Sequence, residues 1–213
     1  PLAKAPAEWS FIDQVAAGTP TPGGGSASAH TGALAAGLVA MVGRLTVGKK
    51  KYAAVEQEMW HLIERAEELK SALTRAVEED AQSFEDILHA TRLPKNTPEE
   101  QKARDEALRN ASVHAAEVPL KVAKLGFETL SLARQAIEKG NLNAISDGGS
   151  AAMLSLASFS GAGMNVKINL LTYAEEPEAK RILGELGELE ASASQLRDTI
   201  RKLLQERGGI TPF

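Results

Sequence analysis

Seven apolar residues, Val55, Met59, Leu62, Ala66, Leu69, Leu73 and Ala76, follow one another in steps that alternate between four and three. Such steps return to one side of an α-helix, so this stretch is a long helix with one face packed against neighbours. The next step of four lands on Asp80, and the stripe resumes at Phe84 and Ile87. A carboxylate therefore sits on a core-facing seam. A purely structural helix would gain from leucine at that position, so Asp80 demands a reason.

The rest of the chain also reads as helix. Phe11 to Ala17 is a short amphipathic piece, and Pro20, Thr21, Pro22 and Gly23 to Gly25 make the first strong break. Ser26 is placed to cap a helix running to about Val47. Within it, "GALAAGLVAMVG" (Gly32 to Gly43) is an apolar run of 12 residues, short of the roughly 18 to 20 that span a bilayer. It reads as a helix buried on all sides, and the 35 alanines of the chain allow close helix approach. Lys49 to Lys51 open the long seam helix, which reaches about Thr91 and ends before Pro94. Thr97, Pro98 and Glu100 then supply an N-cap, a first-turn proline and a capping box. The helix they start is expected to kink or break at Pro119, which lacks the N–H of the ladder. It continues from Leu120 to Lys139 and stops at Gly140. "NLNAISDGGS" (Asn141 to Ser150) is a second Gly-rich break, where Ser146 or Asp147 can cap the next helix. Asn165 to Tyr173 alternates like a strand, but no second strand exists to pair with it, so it reads as helix. Pro177 to Glu206 is a charged amphipathic helix ending at Gly208. The sum is an all-α, up-and-down bundle of about six main helices, forming a single domain over 1–213.

Composition narrows the chemistry. There is no cysteine, which removes disulfides, thiolate zinc sites and a cysteine nucleophile. A net charge of −4 and 4% aromatics argue against a nucleic-acid partner. Pro1 to Ser10 lacks the apolar core of a signal peptide, so a soluble, cytoplasmic domain without a membrane span is expected. The missing initiator methionine fits a processed chain or a piece of a longer one.

Three look-alike motifs fail on context. "GRLTVGKK" (Gly43 to Lys50) imitates a P-loop, but Lys50 stands where Ser or Thr holds magnesium, and no strand precedes it. Glu58-x-x-His61 and Asp86-x-x-His89 imitate di-iron bundle motifs, yet the seam turns both histidines outward, so no metal is expected. No G-x-S-x-G elbow supports a serine hydrolase. Two loops do look chemical. Gly23, Gly24, Gly25 and Ser26 precede a helix, where converging N–H groups suit a polar or anionic ligand. Ser146 to Ser150 offers a second helix start that carries its own carboxylate, Asp147. Ordinary caps explain both loops equally well. Asp80 has a bland reading too, as a core carboxylate capping or pairing with a neighbouring helix. Three cations at Lys49 to Lys51 oppose the dipole of the helix they open, and an acidic ligand would offset that.

In order along the chain, "TPTPGGGSASA" (Thr19 to Ala29), "RLTVGKKKY" (Arg44 to Tyr52), "EEDAQSFEDIL" (Glu78 to Leu88), "RLPKNTPEE" (Arg92 to Glu100), "EVPLKVA" (Glu117 to Ala123), "GNLNAISD" (Gly140 to Asp147) and "NVKINL" (Asn165 to Leu170) resemble one family. It is the cyclodeaminase domain of formiminotransferase-cyclodeaminase, with its single-domain bacterial relatives, some of them methenyltetrahydrofolate cyclohydrolases. The likeness runs from about Phe11 to Leu204. It implies an all-helical homodimer that binds a tetrahydrofolate substrate and uses no metal, nucleotide or other cofactor. It implies either closure of 5-formiminotetrahydrofolate to 5,10-methenyltetrahydrofolate with loss of ammonia, or hydrolysis of the methenyl ring to 10-formyltetrahydrofolate. The first is favoured by a small margin.

On that reading Asp80 and Asp147 share the acid and base roles, each worth roughly 10²- to 10⁴-fold. Asp86 is a spare carboxylate. Gly23, Gly24, Gly25 and Ser26 line the folate site, Asn143 and Asn169 hydrogen-bond the pterin or its amide link, and Arg44, Lys49 and Lys50 hold the glutamate tail. The full family enzyme carries a formiminotransferase domain ahead of this part, and these 213 residues hold only the cyclodeaminase-like part. The competing hypothesis is a non-enzymatic helical assembly or partner-binding module that keeps the scaffold.

Overall fold

In a computed structural model that describes residues 10–211, the seam lies where its spacing puts it. Met59, Leu62, Ala66, Leu69, Leu73 and Ala76 are each at most 2% exposed. They belong to α3 (Glu56–Thr91), one of six α-helices among the described residues. The others are α1 (Phe11–Ala16), α2 (Gly24–Arg44), α4 (Pro98–Lys139), α5 (Ile145–Leu170) and α6 (Pro177–Gly208). Short 3₁₀ turns cover Lys50–Val55, Leu142–Ala144 and Leu171–Tyr173. The fold is the all-α bundle expected, with no strand among the described residues. The segment read as leaderless, Pro1 to Ser10, lies outside the described residues except for Ser10.

Close small-residue contacts fix how the central helices run. Gly24 of α2 meets Asn165 of α5, Gly161 meets Ser28, and Gly32 meets Ser158. Low numbers on α2 therefore pair with high numbers on α5, so the two helices are antiparallel. Side chains at these glycines would clash: a Cβ on Gly32 would lie 2.6 Å from Ser158 Oγ. Small residues thus set the helix separation, as the alanine and glycine content suggested. α3 and α4 flank this pair, and α6 packs on α4 and α5.

Several helix ends differ from the sequence reading. α2 begins at Gly24 with Gly23 as its cap, so Ser26 sits inside the first turn instead of capping it. α5 begins at Ile145, so Ser146 and Asp147 are also first-turn residues with no side-chain cap bond. The three lysines open a 3₁₀ turn, so no α-helix dipole opposes them. The Thr97–Glu100 capping box forms as expected, and the Asn165 to Leu170 stretch is helical. α2 is not buried all round either, since Leu34 is 55% exposed. At 21 residues it is, among the described residues, the one helix long and apolar enough to cross a membrane. Its small-residue faces are nevertheless spent on packing against α3, α4 and α5.

Pro119 neither breaks nor ends α4, which runs from Pro98 to Lys139. A proline at 119 leaves the Ala115 carbonyl, four residues back, without its ladder donor. Asn169 of α5 supplies one: its Nδ2 donates to the Ala115 oxygen at 2.7 Å. One N–H of the Asn169 amide, expected from the sequence to hydrogen-bond substrate, thus serves the interior of α4. Asn169→Ala is expected to cost about 1–3 kcal/mol of stability by orphaning a buried carbonyl. In a Pro119→Ala background the backbone N–H returns, so most of that cost should disappear. Urea unfolding of the two single variants and the double variant measures the coupling.

Candidate active site

Asp80 projects from the seam of α3 onto the first turn of α2. The approach is close enough that a Cβ on Gly25 would lie 2.0 Å from Asp80 Oδ1. Glycine at 25 is what lets the carboxylate reach the helix end. Ser26 Oγ donates to Asp80 Oδ2 at 2.8 Å and also lies 3.2 Å from the Val77 carbonyl. The Ser26 backbone N–H also faces the same carboxylate and favours its charged form. Asp80 thus occupies the place of the side-chain cap that Gly23 cannot provide, and the capping role weighed for it is real.

Capping does not exhaust it. Burial raises the Asp80 carboxyl above its ordinary value, while the two Ser26 hydrogen bonds pull the other way and favour the charged form. Burial wins. A carboxyl tuned upward inside a bundle, with a donor hydroxyl on one oxygen, can accept and return a proton nearer neutral pH than an ordinary aspartate.

Asn165, which sequence reasoning passed over, completes this end. Its Nδ2 donates to the Gly161 carbonyl at 2.8 Å, and a Cβ on Gly24 would sit 3.3 Å from that nitrogen. The signal lay in "NVKIN", whose two asparagines are four apart on one helix face. Asn169 was chosen for substrate, whereas Asn165 is the one beside the Gly-rich turn.

Asp147 is not there. It lies in the first turn of α5, 18 residues from Asn165 and so about 27 Å along the helix at 1.5 Å per residue. Asp80 and Asp147 of one protomer therefore cannot share a proton-transfer site. Arg44, Lys49, Lys50 and Asn143 gather at the same far end. Arg44 pairs with Glu67 at 2.9 Å, so its charge is already engaged, and Lys49, Lys50 and Asn143 are exposed. The wired asparagine there is Asn141, whose Nδ2 donates to the Leu45 carbonyl at 2.9 Å and whose N–H donates to Thr46 Oγ1. The Leu142 N–H donates to Tyr52 Oη at 2.9 Å, which lowers the tyrosine pKa from its ordinary value. These bonds staple the α2–α3 connection to the α4–α5 connection.

Beside the Gly-rich turn lies a cavity of about 870 Å³, bounded by α1, residues 19–22 and the second half of α3. Val77, Glu78 and Ala81 line it on either side of Asp80 in sequence, and Phe11 lines it from α1. The Phe11 ring stacks on His30 of α2 with centroids 4.4 Å apart, which holds α1 against the bundle. Spare Asp86 also lines the cavity, but it makes no contact with Asp80's partners. His61 and His89 are exposed, and no group of three metal-ligating side chains forms among the described residues.

Comparison with known proteins gives the fold a lineage. The formiminotransferase-cyclodeaminase family model matches residues 9–188. A methenyltetrahydrofolate cyclohydrolase of Methylorubrum extorquens is 39% identical over 198 residues, covering 93% of this chain and 95% of that protein. The formimidoyltransferase-cyclodeaminase of Rattus norvegicus is 37% identical over 167 residues, which are 78% of this chain and 31% of the rat protein. The crystal structure of a formiminotetrahydrofolate cyclodeaminase from Thermotoga maritima superposes with a TM-score of 0.83 at 34% identity, covering 93% of this chain and 97% of that one. By sequence over most of its length, and by fold, the chain belongs to the formiminotransferase-cyclodeaminase family.

Proposed function

We propose that the protein closes 5-formiminotetrahydrofolate to 5,10-methenyltetrahydrofolate and releases ammonia, with Asp80 carrying the proton. The observation behind this reading is the Asp80 carboxyl, raised by burial and held by Ser26 beside the Gly24–Gly25 backbone. N10 attacks the carbon of the protonated formimino group and passes its proton to the carboxylate. The same proton then goes to the departing amine as the carbon–nitrogen bond breaks. One carboxyl serves as base and then acid, so no second aspartate is needed at this end. Its negative charge also favours the methenyl cation that forms. This supports the enzyme over the scaffold hypothesis, since the raised carboxyl does more than its cap requires.

A second reading rests on the Methylorubrum relative, which matches this chain nearly end to end and carries the cyclohydrolase name. There the carboxylate takes a proton from water as it adds to the methenyl carbon and returns it to N5 as the ring opens, while the remaining hydroxyl proton leaves to solvent and the formyl carbonyl forms. Methenyl absorbance separates the readings. It rises when the protein is given 5-formiminotetrahydrofolate if the first holds, and falls with 5,10-methenyltetrahydrofolate if the second holds. No change with either substrate sinks both and leaves the scaffold.

We also propose a homodimer in the cytoplasm. Leu34 of α2 and Met164 and Ile168 of α5 are 55%, 66% and 63% exposed, and they lie on the two central, mutually packed helices. A second copy packed on these helices would bury them. Light scattering should return twice the mass of one chain.

A further inference from the structure

The cavity follows the second half of α3, with Val77, Glu78 and Ala81 lining it around Asp80 and Arg92 at its far end. Acidic and apolar residues are interleaved between these ends: Glu78, Phe84, Glu85, Asp86 and Leu88. Among the described lining residues Arg92 is the one side chain with a fixed positive charge, and no acidic side chain among the described residues pairs with its guanidinium. The C-terminus of α3 favours a cation there, which explains why arginine is tolerated but not what it faces.

A tetrahydrofolate offers an anionic group for Arg92 and apolar surface for Phe84 and Leu88. Its pterin is rich in N–H donors, and the one-carbon unit is cationic as formimino or methenyl. An aromatic ring follows, then a dianionic glutamate. Twelve residues separate Asp80 from Arg92, about 18 Å of helix, a span that an extended aminobenzoylglutamate and a long arginine side chain close from opposite ends. Lys49 and Lys50, at the other end of α2, are too far to share a monoglutamate substrate with Asp80 of the same protomer.

We infer that the substrate lies along α3 with its reacting carbon at Asp80 and its glutamate carboxylate on Arg92. The assignment rests on the folate reading above. A guanidinium–carboxylate hydrogen bond of this kind is worth about 10- to 100-fold in affinity. Calorimetric titration with tetrahydrofolate and with tetrahydropteroate, which lacks the glutamate, tests it. Wild type should prefer tetrahydrofolate by that factor. Arg92→Ala should lose the preference while binding tetrahydropteroate as before, and Lys49→Ala/Lys50→Ala should keep it. Equal weakening of both ligands by Arg92→Ala, or loss of the preference in the double lysine variant, would overturn the assignment. Wild type binding neither ligand would instead remove the folate reading itself.

Discussion

Gly25→Ala is expected to reduce turnover at least about 100-fold while leaving a folded helical protein. The new methyl would lie 2.0 Å from Asp80 Oδ1 and 2.5 Å from its Cγ, so one of the two must move. The carboxyl is at the end of a short side chain and can swing away, but only by releasing Ser26. The energetic penalty is about 1–3 kcal/mol, as for other small-to-large changes in packed sites. Alanine's better helix propensity offsets about 1 kcal/mol of it. Stability should therefore change little compared with activity. Circular dichroism melting alongside steady-state kinetics checks both. A variant that unfolds at room temperature, or that turns over at the wild-type rate, would contradict the placement of Asp80.

Asp80→Asn should lower kcat by about 100-fold or more and at the same time stabilise the protein at neutral pH. The sign follows from the direction of the shift. Because burial raises the Asp80 carboxyl in the folded state, the folded protein holds that proton at pH values where the unfolded chain has released it. Stability attributable to this group is thus present below the ordinary carboxylate value and lost as pH rises through the raised one. Asparagine carries no charge to desolvate and still accepts from the Ser26 N–H. The stability gain should be visible at neutral pH and vanish in acid, as urea titrations across pH would show. Leucine, which the seam pattern alone favours at 80, is a different case. It leaves the Ser26 N–H without its acceptor and crowds Gly25, so no gain is expected from it.

The seam residues, the capping box and the existence of the helices were legible because each depends on local spacing and caps. Asp80 was legible for the same reason: it breaks a periodic pattern. What local spacing does not carry is which helix ends meet. The two Gly-rich loops look alike in sequence, and both begin helices, so Asp80 and Asp147 were given one site. In an up-and-down bundle, however, α2 and α5 are an odd number of helices apart and must run in opposite directions. Their N-termini then lie at opposite ends, which separates Asp147, Asn143, Arg44, Lys49 and Lys50 from Asp80. The structural bond of Asn169 was not legible for a tertiary reason. The carbonyl that Pro119 orphans was foreseeable, but its donor lies 54 residues away in sequence.

The central claim is that the Asp80 carboxyl itself carries the proton, and the pH dependence of kcat in wild type and Ser26→Ala tests it most directly. Removing the hydroxyl deletes a hydrogen bond that favours the charged carboxylate, without touching Asp80 or the helix backbone. The wild-type ionisation should lie above the ordinary aspartate value and move still higher in Ser26→Ala. An ionisation at the same pH in both proteins would contradict the claim.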